Sequence, residues 1–239
     1  MKKMILLCLL MPIIGMSQTK NIVTITRVFP KVDKVLEFEK ALAIHAQKYH
    51  TGDWKWRVFE IQSGPDANGY QITEGPTSWD AIDGRGNLGA EHNNDWNKNV
   101  AIFLTDKGSS SYSMYNADLS NIAMTDYADK MIINHMYAKP GMIGHLRDMA
   151  AKMKKAWIAG NESVAVYEPM FSGEPQIAIV TRLKGGLKEL ADGYRKPMAE
   201  RYNAANGEGS FDYYLMDYAK YVESRWSEIL SYRADLSSK

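Results

Sequence analysis

The chain repeats its own pattern, and this repeat limits the fold more than any other feature of the sequence. Residues 25–31 resemble residues 133–139, and Val58-Phe59-Glu60 resembles Val166-Tyr167-Glu168, both at an offset of 108 residues. The matching segments keep the same order along the chain, which makes chance similarity a poor explanation. The repeat therefore predicts that the chain contains two similarly folded units.

Each unit has the pattern strand, helix, strand, strand, helix, strand. Apolar side chains recur every three or four residues in the first predicted helix of each unit, which places them on one helical face. The two faces carry Val35, Phe38, Leu42, His45 and Tyr49 in the first unit and Ile143, Leu146, Ala150, Met153 and Trp157 in the second. The pattern predicts an α+β fold made of two βαββαβ units.

Three short motifs give these units a resemblance to a known superfamily. They are Glu37-Phe38-Glu39, the Val-aromatic-Glu strand, and the run from Glu74 to Trp79. With the topology, they resemble the dimeric α/β-barrel superfamily of ferredoxin-like units, which includes NIPSNAP-type proteins and antibiotic-biosynthesis monooxygenases. The resemblance implies two tandem ferredoxin-like units that form a pseudo-dimer, with an antiparallel barrel core and helices outside. Chlorite-dismutase-like haem proteins also fuse two such units.

The first residues have the pattern of a signal peptide. Lys2 and Lys3 precede an apolar run over residues 4–14, which is too short to span a membrane, and small residues follow it. We predict cleavage near Ser17/Gln18 and export to the periplasm or the extracellular space, with no membrane span after cleavage. The predicted segments are the signal peptide 1–17, the first unit 18–120, the linker 121–128 and the second unit 129–239.

Charge and cysteine content exclude several classes of function. The 29 basic residues are balanced by 28 acidic ones, so no basic excess favours nucleic acid. The one cysteine, Cys8, lies in the predicted signal peptide, so the mature chain would have no thiol chemistry or disulfide. An exposed edge strand would favour a homo-oligomer.

Shifting the chain by 108 residues pairs ionisable residues at equivalent strand positions. These pairs are Arg27 with His135, Glu60 with Glu168, and Glu74 with Arg182. If the side chains point into the barrel, burial would shift their pKa values and form a polar ligand pocket. A structural network of ion pairs is the alternative. We take these six residues as candidate ligand contacts.

The resemblance to monooxygenases adds two candidate catalytic residues. It implies a Trp and a His near the second helix, which Trp79 and His92 match, with His92 in acid–base chemistry or as a ligand and Trp79 beside the substrate. Their spacing departs from the family pattern, and an exposed or capping role for His92 stays open. His45, on the apolar face of the first helix, either packs in the core or contacts a ligand in the sheet–helix cleft.

No metal site is predicted. His45 and His50 are five residues apart, which is not the i, i+4 spacing that places two ligands on one helix face. A stripe of Met142, His145, Met149 and Met153 has ligand types that suit Cu(I), but methionine is also a common core residue, so copper is disfavoured. We predict no cofactor, although the resemblance leaves haem open.

Three functions follow from these observations. The first is binding of a small aromatic or apolar molecule in the barrel or the sheet–helix cleft. The alternatives are a cofactor-independent monooxygenase or haem-using enzyme, and a structural or partner-binding protein without a ligand.

Overall fold

Eight antiparallel strands close into one barrel within residues 19–239, the part of the chain that the computed structural model describes. The predicted signal peptide lies outside the described residues. The strands are β1 Ile22–Pro30, β2 Trp56–Ile61, β3 Tyr70–Thr77, β4 Leu104–Asn116, β5 Lys130–Ala138, β6 Val164–Met170, β7 Gln176–Arg182 and β8 Val222–Tyr232. Around the barrel they follow the order β1-β3-β2-β8-β5-β7-β6-β4, and β4 pairs with β1 to close the ring.

Helices fill the connections between the strands. They are α1 Val35–Tyr49, α2 Trp79–Gly84, α3 Ala90–Asp95, α4 Ile143–Ala159, α5 Met198–Asn206 and α6 Ser210–Tyr221. The predicted apolar face of α1 is confirmed at Phe38, Leu42 and His45, which are buried. That of α4 is confirmed at Leu146, Ala150, Met153 and Trp157. In the described part of the chain, no helix is both long enough and apolar enough to cross a membrane.

The apolar core lies on both faces of the barrel wall, because successive strand residues point to opposite sides. One cluster packs α1 against the outer face of β1, β2 and β3, and another packs α4 to α6 against the outer face of β5 to β8. The third lies inside the barrel and includes Phe59, Ile133, Val180 and Leu230. Both faces of the strands are therefore largely apolar.

The prediction of two tandem ferredoxin-like βαββαβ units is wrong. β2 pairs with β8, where Phe59 faces Tyr232, and β4 pairs with β6, where Tyr115 faces Tyr167. Both pairings cross the predicted boundary between the units, so neither half has its own separate sheet. The physical reason is closure, which gives every strand a partner on both sides and leaves no free edge. The antiparallel barrel with outer helices is present, but as one closed eight-stranded structure.

Candidate functional site

A cavity of about 320 Å³ lies inside the barrel and is lined by side chains from all eight strands. Its apolar wall includes Ile25, Phe59, Ile133, Tyr167 and Trp226. Serine side chains of β4 and several charged or amide groups interrupt this apolar wall. A volume of this size with a mixed lining is typical of a small-molecule site.

Glu228 organises the polar end of the cavity. The Arg27 guanidinium donates to both carboxylate oxygens of Glu228, at 2.5 and 3.0 Å, and also to Asp66 at 2.7 Å. His135 Nε2 lies 2.9 Å from the same carboxylate, and its ring stacks on Trp226 at 3.9 Å. Burial alone would lower the pKa of Arg27, but the contacts with Glu228 and Asp66 raise it above its usual value. Arg27 is therefore held charged and is largely neutralised by carboxylates.

The other end of the cavity is positively charged. Gln176 begins β7 beside His135, and Arg182 ends that strand. The guanidinium groups of Arg57 and Arg182 lie 4.0 and 5.4 Å from the ring centre of Tyr127. Within residues 19–239, neither of them forms an ion pair with a carboxylate, because their hydrogen bonds go to main-chain oxygens and a tyrosine hydroxyl. Two cations thus line the cavity without a carboxylate partner of their own in the described residues.

The six paired ionisable residues divide between the two faces of the barrel wall. Arg27, His135 and Arg182 line the cavity. Glu60 is half-exposed and lies 3.5 Å from Arg233 outside the barrel. Glu168 is buried and accepts a hydrogen bond from Arg147 at 2.9 Å. The two residues are outside because their neighbours Phe59 and Tyr167 occupy the inner positions of the same strands.

Glu74 belongs to a histidine cluster on the outer face of β2 and β3. His45 and His50, from α1 and its C-terminal end, are fully or almost fully buried, and His92 from α3 is partly exposed. The ring of His45 lies 5.3 Å from that of His50 and 4.8 Å from that of His92. Burial lowers the pKa of His45 and of His50 below the usual value, which favours neutral imidazoles. The structure therefore brings together His45, Glu74 and His92, and adds His50.

Trp79 is not part of that cluster. It begins α2, and its ring packs edge-on against Tyr112 at 5.4 Å and Phe171 at 6.3 Å. His92 contacts His45, Tyr49 and His50 instead, at ring distances between 4.8 and 5.4 Å. The two predicted catalytic residues thus belong to separate aromatic clusters.

Two functional candidates escaped the sequence analysis. Glu228 lies on the inner face of β8 together with Trp226, Leu230 and Tyr232, which occupy every second position of the strand. This period of two is the sequence signal that could have identified it. His50 was set aside on its spacing from His45, but the third ring comes from α3, a distant element that helix spacing does not reveal. The side chains of the methionine and histidine stripe on α4 do not share one environment. Met149 and Met153 lie in the core, whereas His145 stacks on Tyr221 at 4.0 Å.

Comparisons with known proteins identify the class of fold. No protein-family model matches the chain, and no curated protein matches its sequence. The chain is similar to an anthrone oxidase-like protein, with 9% identity, a TM-score of 0.57, and coverage of 90% of this chain and 92% of the other. The structure neighbours also include a candidate monooxygenase from Lactobacillus acidophilus and a candidate chlorite dismutase, so the fold is shared with proteins of these descriptions.

Two further neighbours show how widely this fold is shared. A candidate monooxygenase from Fusobacterium nucleatum has 11% identity and a TM-score of 0.55, over 88% of this chain and 91% of that chain. Chlorite dismutase from Candidatus Nitrospira defluvii has 6% identity and a TM-score of 0.51, over 90% and 92% of the two chains. At such identities the likeness concerns the fold, and function has to be argued from the site.

The resemblance to chlorite-dismutase-like haem proteins requires a test of whether haem fits. Haem iron is held by His, Cys, Met or Tyr. In the described residues, a cleft of about 1210 Å³ lies between α5, α6 and the outer face of the barrel, but neither His nor Cys lines it. Its Met136, Met153, Met198 and Tyr218 pack in or against the apolar core. Burial raises the pKa of its Tyr214 to about 12, which disfavours a phenolate ligand. In the barrel, both ring nitrogens of His135 are engaged by Glu228 and Gln176. These residues do not fit a haem.

Proposed function

We propose that the barrel cavity binds a small, largely apolar aromatic molecule that carries a negative charge. The observation that supports this is the pair of guanidinium groups, Arg57 and Arg182, which line an apolar cavity without carboxylate partners in residues 19–239. In a cavity shielded from water, a charge-assisted contact to an anion is stronger than at the surface. The aromatic wall fits a planar ring.

A pair of fluorescent probes tests the proposal. 1-Anilinonaphthalene-8-sulfonate and N-phenyl-1-naphthylamine share their ring system, and only the first carries a sulfonate. We expect the anionic probe to bind more tightly, and Arg57→Gln to weaken its binding by roughly 10- to 100-fold, which corresponds to the loss of a hydrogen bond to a charged group. Binding of the neutral probe should change little.

Arg225→Gln is the matched control, because Arg225 is exposed on the outer face of β8. If it weakens the anionic probe as much as Arg57→Gln does, the probe binds the surface and the proposal is wrong. Equal affinity of the wild-type protein for both probes would also contradict it.

Cofactor-independent oxidation of the bound molecule is a second candidate. The fold shared with an anthrone oxidase-like protein and a candidate monooxygenase supports it. The specific observation is His135, which lines the cavity and shares Glu228 with Arg27. A substrate that took the place of Gln176, which lies 3.2 Å from Nδ1, could exchange a proton with this ring. In such a reaction, anthrone would lose two hydrogen atoms from its methylene carbon and gain one oxygen atom, while the second atom of dioxygen would leave as water.

Oxygen consumption with anthrone as the substrate tests this candidate. We expect turnover above the buffer rate, and a loss of about 100-fold or more in His135→Gln, since general acid–base catalysis contributes about 10²- to 10⁴-fold. His145→Gln on the exposed face of α4 is the control. Turnover that is unchanged in His135→Gln would exclude this residue from the reaction.

The remaining predictions concern the cell and the family. We infer export from the signal-peptide pattern, so N-terminal sequencing of the exported protein should begin at Gln18. A closer kinship with NIPSNAP-type proteins and the assembly of a homo-oligomer stay predictions.

A further inference from the structure

Three of the five histidines of the chain meet between α1, α3 and the outer face of β2 and β3. One ring nitrogen from each of His45, His50 and His92 lies within 4.8 Å of the other two. We propose that these three imidazoles bind one divalent transition-metal ion, Zn²⁺ or Cu²⁺. The site is separate from the barrel cavity, because its residues lie on the opposite face of the barrel wall.

The distances fit a shared metal ion. Zinc binds imidazole nitrogen at about 2.0–2.1 Å, so two nitrogens on one tetrahedral ion lie roughly 3.4 Å apart. The Nε2 atoms of His50 and His92 are 3.4 Å apart. The third ring needs only a small side-chain movement to join them, since its nitrogen is already within 4.8 Å.

A hydrogen bond between two rings is the simpler explanation, but it accounts for only two of the three histidines. Nε2 of His45 is buried and has no hydrogen-bond partner within residues 19–239. Buried polar atoms are nearly always satisfied, so an unpartnered one requires an explanation such as a bound ion. A metal at the centre of the cluster would give all three rings a common partner.

The opposite ring nitrogens are held in the way that metal-binding histidines usually are. Such a histidine directs its other nitrogen to a carboxylate or another acceptor, which fixes the ring and its tautomer. Here the Nδ1 atoms face Asp95 at 2.7 Å for His45, Glu74 at 3.3 Å for His50, and the side-chain oxygen of Asn93 at 3.0 Å for His92. With the Nδ1 atoms held in this way, the Nε2 atoms of His50 and His92 face each other and that of His45 is left without a hydrogen bond in the described residues.

Charge and access also suit a cation. Asp95 and Glu74 contribute two negative charges next to the rings, and Arg85, which pairs with Glu74, contributes one positive charge. Partly exposed His92 gives an ion a path from solvent. Three protein nitrogens leave a position for water, as in zinc sites that act on substrates, and imidazole suits both zinc and copper.

Calorimetric titration of untagged protein, freed of metal by dialysis against a chelator, tests the proposal with ZnCl₂ and CuCl₂ in separate experiments. We expect one equivalent to bind, and His92→Asn to weaken binding by about 100-fold or more, since even the loss of an outer-shell partner costs 10- to 100-fold. His145→Asn, which removes an exposed histidine outside the cluster, should bind as the wild type does. Binding of either ion supports the site, and the tighter one identifies the preferred metal.

Asp95→Asn provides a second variant that keeps all three ligands. It should weaken binding by about 10- to 100-fold through His45 alone. In the Cu²⁺ complex, electron paramagnetic resonance should show nitrogen coupling from imidazoles that changes in His92→Asn. The proposal is overturned if folded wild-type protein binds neither ion stoichiometrically, or if His92→Asn leaves affinity and spectrum unchanged.

Discussion

Glu228 holds the polar end of the cavity together, because its carboxylate contacts both Arg27 and His135. Glu228→Gln removes the negative charge while keeping the shape. We expect the free energy of unfolding to fall by about 3 kcal/mol, since breaking a buried ion pair is strongly destabilising and Arg27 would keep only Asp66 as a carboxylate partner. Urea unfolding at pH 7 measures this loss.

A double variant separates the charge effect from packing. Arg27→Met combined with Glu228→Leu replaces the pair by apolar side chains, and such replacements are often neutral or stabilising. We expect the double variant to be more stable than Glu228→Gln alone. The single variants Arg27→Met and Glu228→Leu complete the comparison. If their two losses of unfolding free energy sum to the loss in the double variant within about 0.5 kcal/mol, the two residues are uncoupled.

Glu168 makes part of the stability depend on pH. Burial raises its pKa, but hydrogen bonds from Arg147 and Asn116 outweigh burial and leave the pKa below its usual value. The folded state therefore binds fewer protons than the unfolded state in acid. The stabilisation by Glu168 is complete above the pKa of the unfolded state, about 4.3, and is lost as the pH falls through the pKa of the folded state. Glu168→Gln should cost roughly 1.5–3 kcal/mol at pH 7.

The difference in free energy of unfolding between Glu168→Gln and wild type should shrink as the pH falls from 5 towards 2. Urea unfolding at several pH values measures this difference. Glu174→Gln, which changes an exposed carboxylate in the next hairpin, should show no such trend. A difference that stays constant in acid would mean that the Arg147 contact does not hold the charge of Glu168.

The repeat predicts which strand positions correspond, but it does not predict which way their side chains point. The shift of 108 residues pairs Arg27 with His135, and in the structure both line the cavity from inner positions of corresponding strands. It could not show that Glu60 and Glu168 face outward, because β2 is buried on both sides, with Val58 under α1 and Phe59 inside the barrel. Where both faces are apolar, the alternation that fixes orientation disappears.

Among the elements, α1 shows how a sequence pattern is converted into packing. Leu42 is fully buried against the outer face of the barrel, whereas Leu36 on the same helix is 77% exposed. We expect Leu42→Ala to cost about 2–5 kcal/mol, through lost burial and the cavity left behind. Leu36→Ala is the matched control and should stay within about 0.5 kcal/mol of wild type.

Thermal unfolding of the two leucine variants measures this contrast. Similar losses at both positions would mean that the exposed face of α1 is covered by something other than the barrel. The same helix also shows the limit of local pattern, since spacing placed His45 on the buried face but gave no sign of His92 or Asp95 beside it. Those contacts depend on α3, which lies some fifty residues further along the chain.

On the scale of the whole molecule, two strand pairings, β2 with β8 and β4 with β6, join the two halves of the chain into one barrel. We call these two pairings the seams. The repeat and the strand order along the sequence were predicted, but the pairing of β2 with β8 and of β4 with β6 was not. Strand pairing across such a separation depends on shape and closure, which periodicity does not encode. Closure also creates the cavity, because the inner face becomes a volume only when the ring is complete.

A split chain tests this organisation directly. Residues 19–120 and residues 129–239, produced separately, would each lose partners for two strands and expose half of the barrel interior, including Phe59 in one fragment and Leu230 in the other. We expect neither fragment alone to form a stable monomer, because unpaired edges and exposed apolar surface favour unfolding or association.

Mixed in equal amounts, the two fragments should recover the circular dichroism spectrum and the cooperative unfolding of the intact chain. A fragment that unfolds cooperatively as a monomer would show that its sheet is stable without closure, and the barrel would then be a docking of two finished halves. Recovery that occurs only on mixing would show instead that the seams carry stability that neither half has alone.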